Sequence, residues 1–260
     1  MSITSVIINV TDLDRSIDFY TRFLAAEPIS RDDDHAVLDL ISGTLRLQRI
    51  DNPADHAWVA DDLHRGFRHI GFKVDDVDRW VAPLKEAGVR FHLDPLEATG
   101  DVRIAFFYDP DGTLCEFVAR DLQYSTMIDE DGVAAERALG VPDRPRLDHV
   151  ALTVDDRQRT ADFYHDHFGF DLIGIIDQPQ DPRGFSIGYL KAGPTVLEIF
   201  TYRADKQPAT PQLDAPGFVA AEIGGSSGSP AGMTELGKTG YGAVITLDAD
   251  GFPITLGAER

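Results

Sequence analysis

The chain has 260 residues, of which 43% are hydrophobic, so it can fill one large core or the cores of two smaller domains. Its formal net charge of −20 comes from acidic residues spread along the whole chain, and because such a surface repels phosphate backbones, we do not expect a nucleic-acid partner. A single cysteine, Cys115, excludes an intrachain disulfide framework and a thiolate zinc cluster.

A strand followed by an amphipathic helix opens the chain, in the stretch "SVIINVTDLDRSIDFYTRFL" that starts at Ser5. Alternating apolar residues indicate the strand, and apolar residues three or four positions apart indicate the helix. The strand-like segments "HAVLDLI" and "TLRLQRI" come next. The first unit is therefore interpreted as a strand, a helix and a run of strands, or βαβββ.

The same order returns from His69 in "HIGFKVDDVDRWVAPLKEAG". Ile70 and Phe72 belong to the apolar face that packs on the helix, so His69 points to the opposite face. The segments "VRFHLD", "VRIAFFYDP" and "TLCEFVAR" follow, and Glu116 interrupts the apolar face of the last one. A carboxylate in such a face is costly unless something pairs with it.

A third copy begins near Arg146 with "RLDHVALTVDDRQRTADFY", which shares the Asp-Phe-Tyr of the first helix. His149 lies on the face of its strand that the following helix does not cover. Glu198 stands between two apolar residues in "TVLEIFTY". Before this unit, "DGVAAERALG" predicts a short connecting helix capped by Asp131 and Gly140.

Near the C-terminus, "AVITLDADGFPITLG" matches "AFFYDPDGTLCEFV" of the second unit, with Asp-x-Asp-Gly as a hairpin turn in both. We interpret it as the end of a fourth unit whose first strand is "GFVAAEI". Its helix is expected to be missing, because residues Gly224 to Met233, "GGSSGSPAGM", cannot hold one, and we expect this segment to be irregular and mobile. The chain is thus divided into a first domain over 1–120, a linker over 121–145 and a second domain over 146–260.

This repeated unit, with Asp-Pro-Asp-Gly and a glutamate four residues beyond it, resembles the vicinal oxygen chelate superfamily, which includes glyoxalases, bleomycin resistance proteins and extradiol dioxygenases. The resemblance implies an α+β fold in which four βαβββ-derived modules form two half-open, curved-sheet barrels, the fourth module being degenerate. It also implies a divalent metal held by residues of the first strand, usually histidine, and of the last strand, usually glutamate.

Transferred position by position, the resemblance implies that the second and third units keep complete ligand slots, His69 with Glu116 and His149 with Glu198. The slots of the first and fourth units hold no ligands; they are occupied by Ser5, Leu47 or Gln48, about Phe218 and about Thr255. Pairing the first unit with the second and the third with the fourth would split the ligands into two incomplete pairs. Pairing the second with the third would give one complete site, which we favour because independent loss should not sort the ligands so cleanly.

Two imidazoles and two carboxylates suit Zn, Ni, Co, Mn or Fe as a divalent cofactor. The resemblance implies a lyase or isomerase of glyoxalase or epimerase type, in which the metal binds neighbouring oxygens of a small substrate and stabilises an enediolate. Glu116 or Glu198 would shuttle the proton, and the sequence does not choose between them. The alternatives are an extradiol-type dioxygenase and a metal-free, drug-sequestering binding protein of the same fold.

No apolar run is long enough to cross a membrane, and the N-terminal stretch enters a strand directly. We therefore expect a cytoplasmic protein whose partner is a small molecule rather than a membrane or a nucleic acid. A homodimer is left open.

Overall fold

The computed structural model describes residues 1–55, 61–208, 211–225, 230 and 233–257. In these residues the chain is a mixed α+β protein with two large sheets, neither of which is a closed barrel, and four helices. No helix in the described part of the chain is long and apolar enough to cross a membrane.

The elements follow the predicted units in chain order. The first unit comprises β1 Ser2–Val10, α1 Leu13–Leu24, β2 Glu27–Arg31, β3 His35–Asp39 and β4 Thr44–Arg49. The second comprises β5 Gly66–Lys73, α2 Val77–Glu86, β6 Phe91–Ala98, β7 Val102–Tyr108 and β8 Leu114–Ala119. The linker contains β9 Thr126–Met127 and α3 Glu130–Arg137. The third unit comprises β10 Arg146–Thr153, α4 Arg157–Phe168, β11 Asp171–Asp177, β12 Ser186–Ala192 and β13 Thr195–Thr201. The last strands are β14 Gly217–Gly224, β15 Thr234–Lys238, β16 Val244–Leu247 and β17 Pro253–Gly257.

Each of the two sheets contains strands from both halves of the chain. An eight-stranded sheet has the order β15-β16-β17-β14-β1-β4-β3-β2, and a nine-stranded sheet has the order β6-β7-β8-β5-β10-β13-β12-β11-β9. The antiparallel pairing of β1 with β14 joins the first unit to the fourth, and that of β5 with β10 joins the second to the third. The structure therefore has the arrangement that places all four predicted ligands in one sheet. The domain division at residue 120 stays a prediction.

Helices α1, α2 and α4 each begin directly after an aspartate that caps them. The side chains of Asp12, Asp76 and Asp156 accept hydrogen bonds from backbone N–H groups in the first turns of α1, α2 and α4. Each helix then packs an apolar face on a sheet, and the residues buried there share one large core with both sheets. This packing leaves the opposite face of the central strands available for a site.

The linker helix differs slightly from its prediction. We expected α3 to be capped by Asp131 and Gly140, but its N-terminal cap lies two residues earlier, at Asp129, whose side chain accepts the backbone N–H of Asp131. At its other end Ala138 is the cap, and Gly140 lies just beyond with a positive φ of 66°. The error is in the boundary and not in the existence of the helix.

The two Asp-x-Asp-Gly hairpins bind the helices of neighbouring units. The Tyr20 hydroxyl of α1 donates to Asp109 at 2.7 Å, and the Tyr164 hydroxyl of α4 donates to Asp248 at 2.8 Å. We call these two contacts the tyrosine–hairpin contacts. They join the first unit to the second and the third to the fourth, across the two sheets.

The connection between β14 and β15 contains most of the segment that we expected to be irregular. Residues 226–229 and 231–232 of that segment lie outside the described residues. The described Gly224 ends β14 instead of starting a loop. The missing fourth helix and the mobility of the connection stay predictions.

Candidate metal centre

Four side chains meet at the middle of the nine-stranded sheet, one from each of four adjacent strands. Glu116 comes from β8, His69 from β5, His149 from β10 and Glu198 from β13. All four are buried, with the most exposed, Glu198, only 8% accessible. One ligand atom from each lies within 4.8 Å of those from the other three. The structure thus brings together the complete set of residues that the resemblance implied.

The four groups are not held equally. The Nε2 atoms of His69 and His149 are 3.1 Å apart. Oε2 of Glu116 lies 2.9 Å from Nε2 of His149 and 3.0 Å from that of His69. Oε2 of Glu198 is farther from the same two nitrogens, at 3.6 Å and 3.8 Å. Glu116 is therefore bound tightly between the imidazoles, whereas Glu198 stands slightly apart from them.

Burial and mutual contact move the pKa values of these groups in different directions. Burial lowers the pKa of His69 to about 4, against the opposing hydrogen bond with Glu116. Burial also opposes the charged form of Glu116, but its hydrogen bonds with His149 and His69 outweigh it and lower the pKa to about 2. For Glu198 burial dominates and raises the pKa to about 8. Burial alone would lower the pKa of His149, but Glu198, Asp148 and Glu116 together raise it.

Gly71 makes room for the ring of His149. A Cβ atom on Gly71 would lie 2.0 Å from Cε1 and 2.1 Å from Nε2 of that ring. Such distances are far shorter than any van der Waals contact, and Gly71 pairs directly with His149 across β5 and β10. Gly71 was not predicted as a site residue, although a glycine two positions after a strand histidine is a visible signal of close approach.

The site opens into a cavity of about 270 Å³. Its wall is mostly apolar, with contributions from β6, β7, β12 and β13, and its polar lining includes residues that the sequence analysis did not single out. Among the latter are Asp62, Arg68, Lys73, His92, Glu136, Asp148 and Tyr189. Cys115, the single cysteine of the chain, is buried in the large core cluster.

The equivalent positions of the other sheet follow from its register. Ser5 and Ala220 occupy the places of the two histidines, since β1 and β14 pair with the same bulges as β10 and β5. Arg46 pairs with Ile7, and Thr255 pairs with Glu222. Ile7 and Glu222 lie two positions after Ser5 and Ala220, so Arg46 and Thr255 occupy the places of the glutamates. The expected slots at Leu47 or Gln48 and at Phe218 lie one or two positions away from these register positions, Arg46 and Ala220.

In that second sheet an ion pair lies where the first has its ligand cluster. Nη2 of Arg46 is 3.3 Å from Oε1 of Glu222, which also accepts a hydrogen bond from Ser5 at 3.3 Å. Glu222 corresponds to Gly71 in the register, so the second sheet has a long side chain where the first has a glycine beside the ring of His149. In the described residues, the cluster of His69, Glu116, His149 and Glu198 is the one group with the composition of a metal site.

The donor set fits a divalent ion. Two imidazole nitrogens and two carboxylate oxygens converge in a buried position. Such a mixed nitrogen and oxygen set is typical of Zn, Ni, Co, Mn and Fe. The residues present could therefore hold one of these ions.

Comparison with known proteins matches most of the chain to one family. The family model of the "Glyoxalase/Bleomycin resistance protein/Dioxygenase superfamily" matches residues 2–117 and 146–250. These two ranges contain all four residues of the cluster.

Two similar curated proteins are named for the same activity, lactoylglutathione lyase. The "Probable lactoylglutathione lyase, chloroplastic" of Arabidopsis thaliana is 28% identical over 75% of this chain and 52% of its own length. A second protein of that plant, "Lactoylglutathione lyase GLX1", is 25% identical over 77% of this chain and 66% of its own length. The chain thus spans about half to two thirds of the length of these relatives.

Solved structures show the same fold. Glyoxalase I from Zea mays superposes with a TM-score of 0.65 over 98% of this chain and 91% of the maize chain, at 22% sequence identity. At that identity the likeness concerns the arrangement of the strands and helices.

Proposed function

The chain belongs to the glyoxalase/bleomycin resistance protein/dioxygenase superfamily, and on that premise we propose that it is a metal-dependent lyase or isomerase of glyoxalase type. The observation that carries the proposal is the convergence of His69, Glu116, His149 and Glu198 in the wall of a small cavity. Two of the four come from each half of the chain, so the site needs both halves.

His69, Glu116, His149 and Glu198 would hold the divalent ion. When bound, such an ion supplies Lewis acidity toward two neighbouring oxygens of a substrate, where negative charge develops as a proton leaves carbon. The chain contributes a largely apolar cavity wall, including Phe106 and Phe200, which keeps bulk water from the reacting atoms. A low local dielectric strengthens each charge interaction in the site.

Glu198 is the better candidate to move the proton. Its carboxylate is farther from both imidazoles than that of Glu116 and makes no hydrogen bond within the described residues, so it can turn toward a substrate at little cost. Glu116, held by both histidines, is assigned to ligation. A general base must come within hydrogen-bond reach of the proton it removes, and Glu198 lines the cavity where that proton would lie.

The substrate to test first follows from the names of the relatives. We propose the glutathione adduct of a 2-oxoaldehyde, whose isomerisation gives a 2-hydroxyacyl thioester of glutathione, such as lactoylglutathione, without loss or gain of atoms. Formation of the thioester can be followed by ultraviolet absorbance. The small-molecule partner, the cytoplasmic location and a homodimer stay proposals, and one relative is named chloroplastic.

The test combines metal analysis with two isosteric variants. The protein is stripped with a chelator, loaded separately with Zn, Ni, Co, Mn or Fe, and assayed for metal content and turnover. We expect Glu198→Gln to keep its metal but to lose about 100-fold or more in kcat, because proton transfer by a positioned base contributes at least that much. Glu116→Gln should lose metal. Glu86→Gln, an exposed glutamate on α2, is the matched control and should change neither property.

Two outcomes would overturn the proposal. One is wild-type protein that takes up no divalent metal, which would favour a metal-free binding protein. The other is turnover of a catechol by the iron-loaded protein with no isomerisation of the adduct, which would favour a dioxygenase.

A further inference from the structure

A β-bulge lies immediately before each histidine of the cluster. In the pairing of β10 with β5, Leu147 and His149 both have partners, and Asp148 between them has none. Arg68 is skipped in the same way before His69. A bulge residue escapes the strict alternation of a strand, so its side chain can turn toward the face of its neighbour. Bulges of this kind commonly re-aim side chains at active sites.

The bulge brings the carboxylate of Asp148 to the ring of His149. Oδ2 of Asp148 lies 3.0 Å from Nδ1 of His149, which donates a proton to it. With Nδ1 protonated and engaged, Nε2 is the ring nitrogen left to face Glu116 and the centre of the cluster. A carboxylate on the outer nitrogen fixes both the tautomer and the orientation of a ligating imidazole.

Asp148 is itself anchored. Nη2 of Arg146 lies 3.7 Å from Oδ1 of Asp148, and the guanidinium of Arg146 also donates to the backbone carbonyls of Leu139 and Gly140. Four fifths of the Asp148 side chain and nearly all of that of Arg146 are shielded from solvent. The linker that follows α3 therefore supports the carboxylate, which in turn holds the histidine.

His69 has no comparable support. Its Nδ1 atom is buried and has no hydrogen-bond partner within the described residues. Arg68, the bulge residue before it, instead pairs with Asp62 at 2.6 Å and stacks on Phe200. The two imidazoles thus differ in how firmly they are held.

We propose that Asp148 is a positioning residue of the metal centre, which holds His149 with Nε2 toward the ion and makes it the anchored ligand, while His69 is the adjustable one. This inference rests on the proposed metal-dependent function. It assigns a role to Asp148 that neither the relatives' names nor the ligand cluster itself provides.

The test measures zinc affinity by competition with a chromophoric chelator, using the full chain. Outer partners of ligating histidines are worth about 10- to 100-fold in metal affinity, so Asp148→Ala should weaken zinc binding by that factor. Asp148→Asn keeps the shape and should weaken it less. The matched control is Asp171→Ala, because Asp171 forms the same kind of contact, 2.7 Å to Nδ1 of His165, on the surface.

A second readout reports orientation and not stability. In nitrogen-15 spectra of the zinc-loaded protein, the Nδ1 proton of His149 should exchange slowly with water in the wild type. It should exchange faster in Asp148→Asn, with the His69 signals unchanged, whereas a merely structural role would leave this proton as it was.

The outcomes separate the two proposals. Wild-type protein that binds no metal would overturn the proposed function and this role together. Wild-type protein that binds zinc, with both Asp148 variants within twofold of it and an unchanged Nδ1 proton, would overturn the positioning role alone.

Discussion

Gly71 shows how one missing side chain permits a ligand. The ring of His149 lies over its backbone at distances that any Cβ atom would violate, and the φ of Gly71 is not positive, so the constraint is steric and not conformational. In the other sheet Glu222 fills the corresponding position and Ser5 replaces the histidine. The nine-stranded sheet thus has Gly71 beside the ring of His149, whereas the eight-stranded sheet has Glu222 beside Ser5.

Gly71→Ala should therefore abolish metal binding by displacing the ring of His149. We expect zinc affinity to fall at least as far as in His149→Ala, while the circular dichroism spectrum keeps its sheet and helix signals. Gly240→Ala is a suitable control, since a Cβ there would meet only the flexible ends of Gln48 and His35, at 3.0 Å. Zinc binding of Gly71→Ala at wild-type affinity would show that the ring can move without loss and would contradict this account.

The ligands themselves could be predicted from the sequence, but their supports could not. Strand alternation predicted the face on which His69 and His149 lie, and the resemblance to the vicinal oxygen chelate superfamily implied their role as ligands. Asp148 was missed because the same alternation predicts that it points away from its neighbour His149. The bulge that reverses this depends on the pairing of two strands from different halves of the chain, which a single strand does not reveal.

At the scale of elements, the residues of the repeated motifs bind neighbouring units to each other and do not belong to the ligand cluster. Tyr20 of the first Asp-Phe-Tyr and Tyr164 of the second donate to the hairpin aspartates, and Arg15 and Arg159 pair with the next aspartates of the same turns at 2.7 Å. The fold was predictable because these contacts recur with the strands and helices. The pairing of the units was harder to predict, because both possible pairings are compatible with the same local sequence patterns.

The tyrosine–hairpin contacts should make stability depend on pH. Burial raises the pKa of Asp109 to about 6 and that of Asp248 to about 6, against the hydrogen bonds from the tyrosines and the turn backbone. In an unfolded chain such carboxyls titrate near about 3.9. The folded state therefore holds these protons more tightly, so their contribution to the free energy of unfolding is greatest below about pH 4 and is lost as the pH rises to about 6.

The contribution can be isolated with the double variant Asp109→Asn, Asp248→Asn. We expect the free energy of unfolding of the wild type, minus that of the variant, to fall between about pH 4 and pH 6 by an amount on the order of 1–3 kcal/mol for each carboxyl. Urea denaturation across that range measures it. Asp18→Asn, an exposed aspartate of the first Asp-Phe-Tyr, should leave the pH dependence unchanged. A difference that stays flat, or that rises with pH, would show that neither carboxyl is protonated in the fold.

At the scale of the whole molecule, the two sheets differ in the ligands that they receive from the two halves of the chain. Each half supplies one unit to the nine-stranded sheet, with one histidine and one glutamate of the cluster, and one unit to the eight-stranded sheet, with no residue of the cluster. If the halves paired internally, no sheet would contain more than half of the cluster. The crossed pairing is therefore what allows a single chain to assemble one complete site, and it leaves the second sheet free to lose its ligands.

This difference in ligands between the two sheets predicts one metal ion per chain. The second sheet has Ser5, Arg46, Ala220 and Thr255 at the equivalent positions, and the permanent charge of Arg46, paired with Glu222, disfavours a cation there. After chelator stripping and reloading with zinc, native mass spectrometry should show one ion for the wild type and for Arg46→Ala, and none for the double variant His69→Ala, His149→Ala. Two ions in the wild type would mean that the second sheet still binds metal. One ion retained by the double variant would show that His69 and His149 are not needed to hold the metal and would contradict its placement in the cluster.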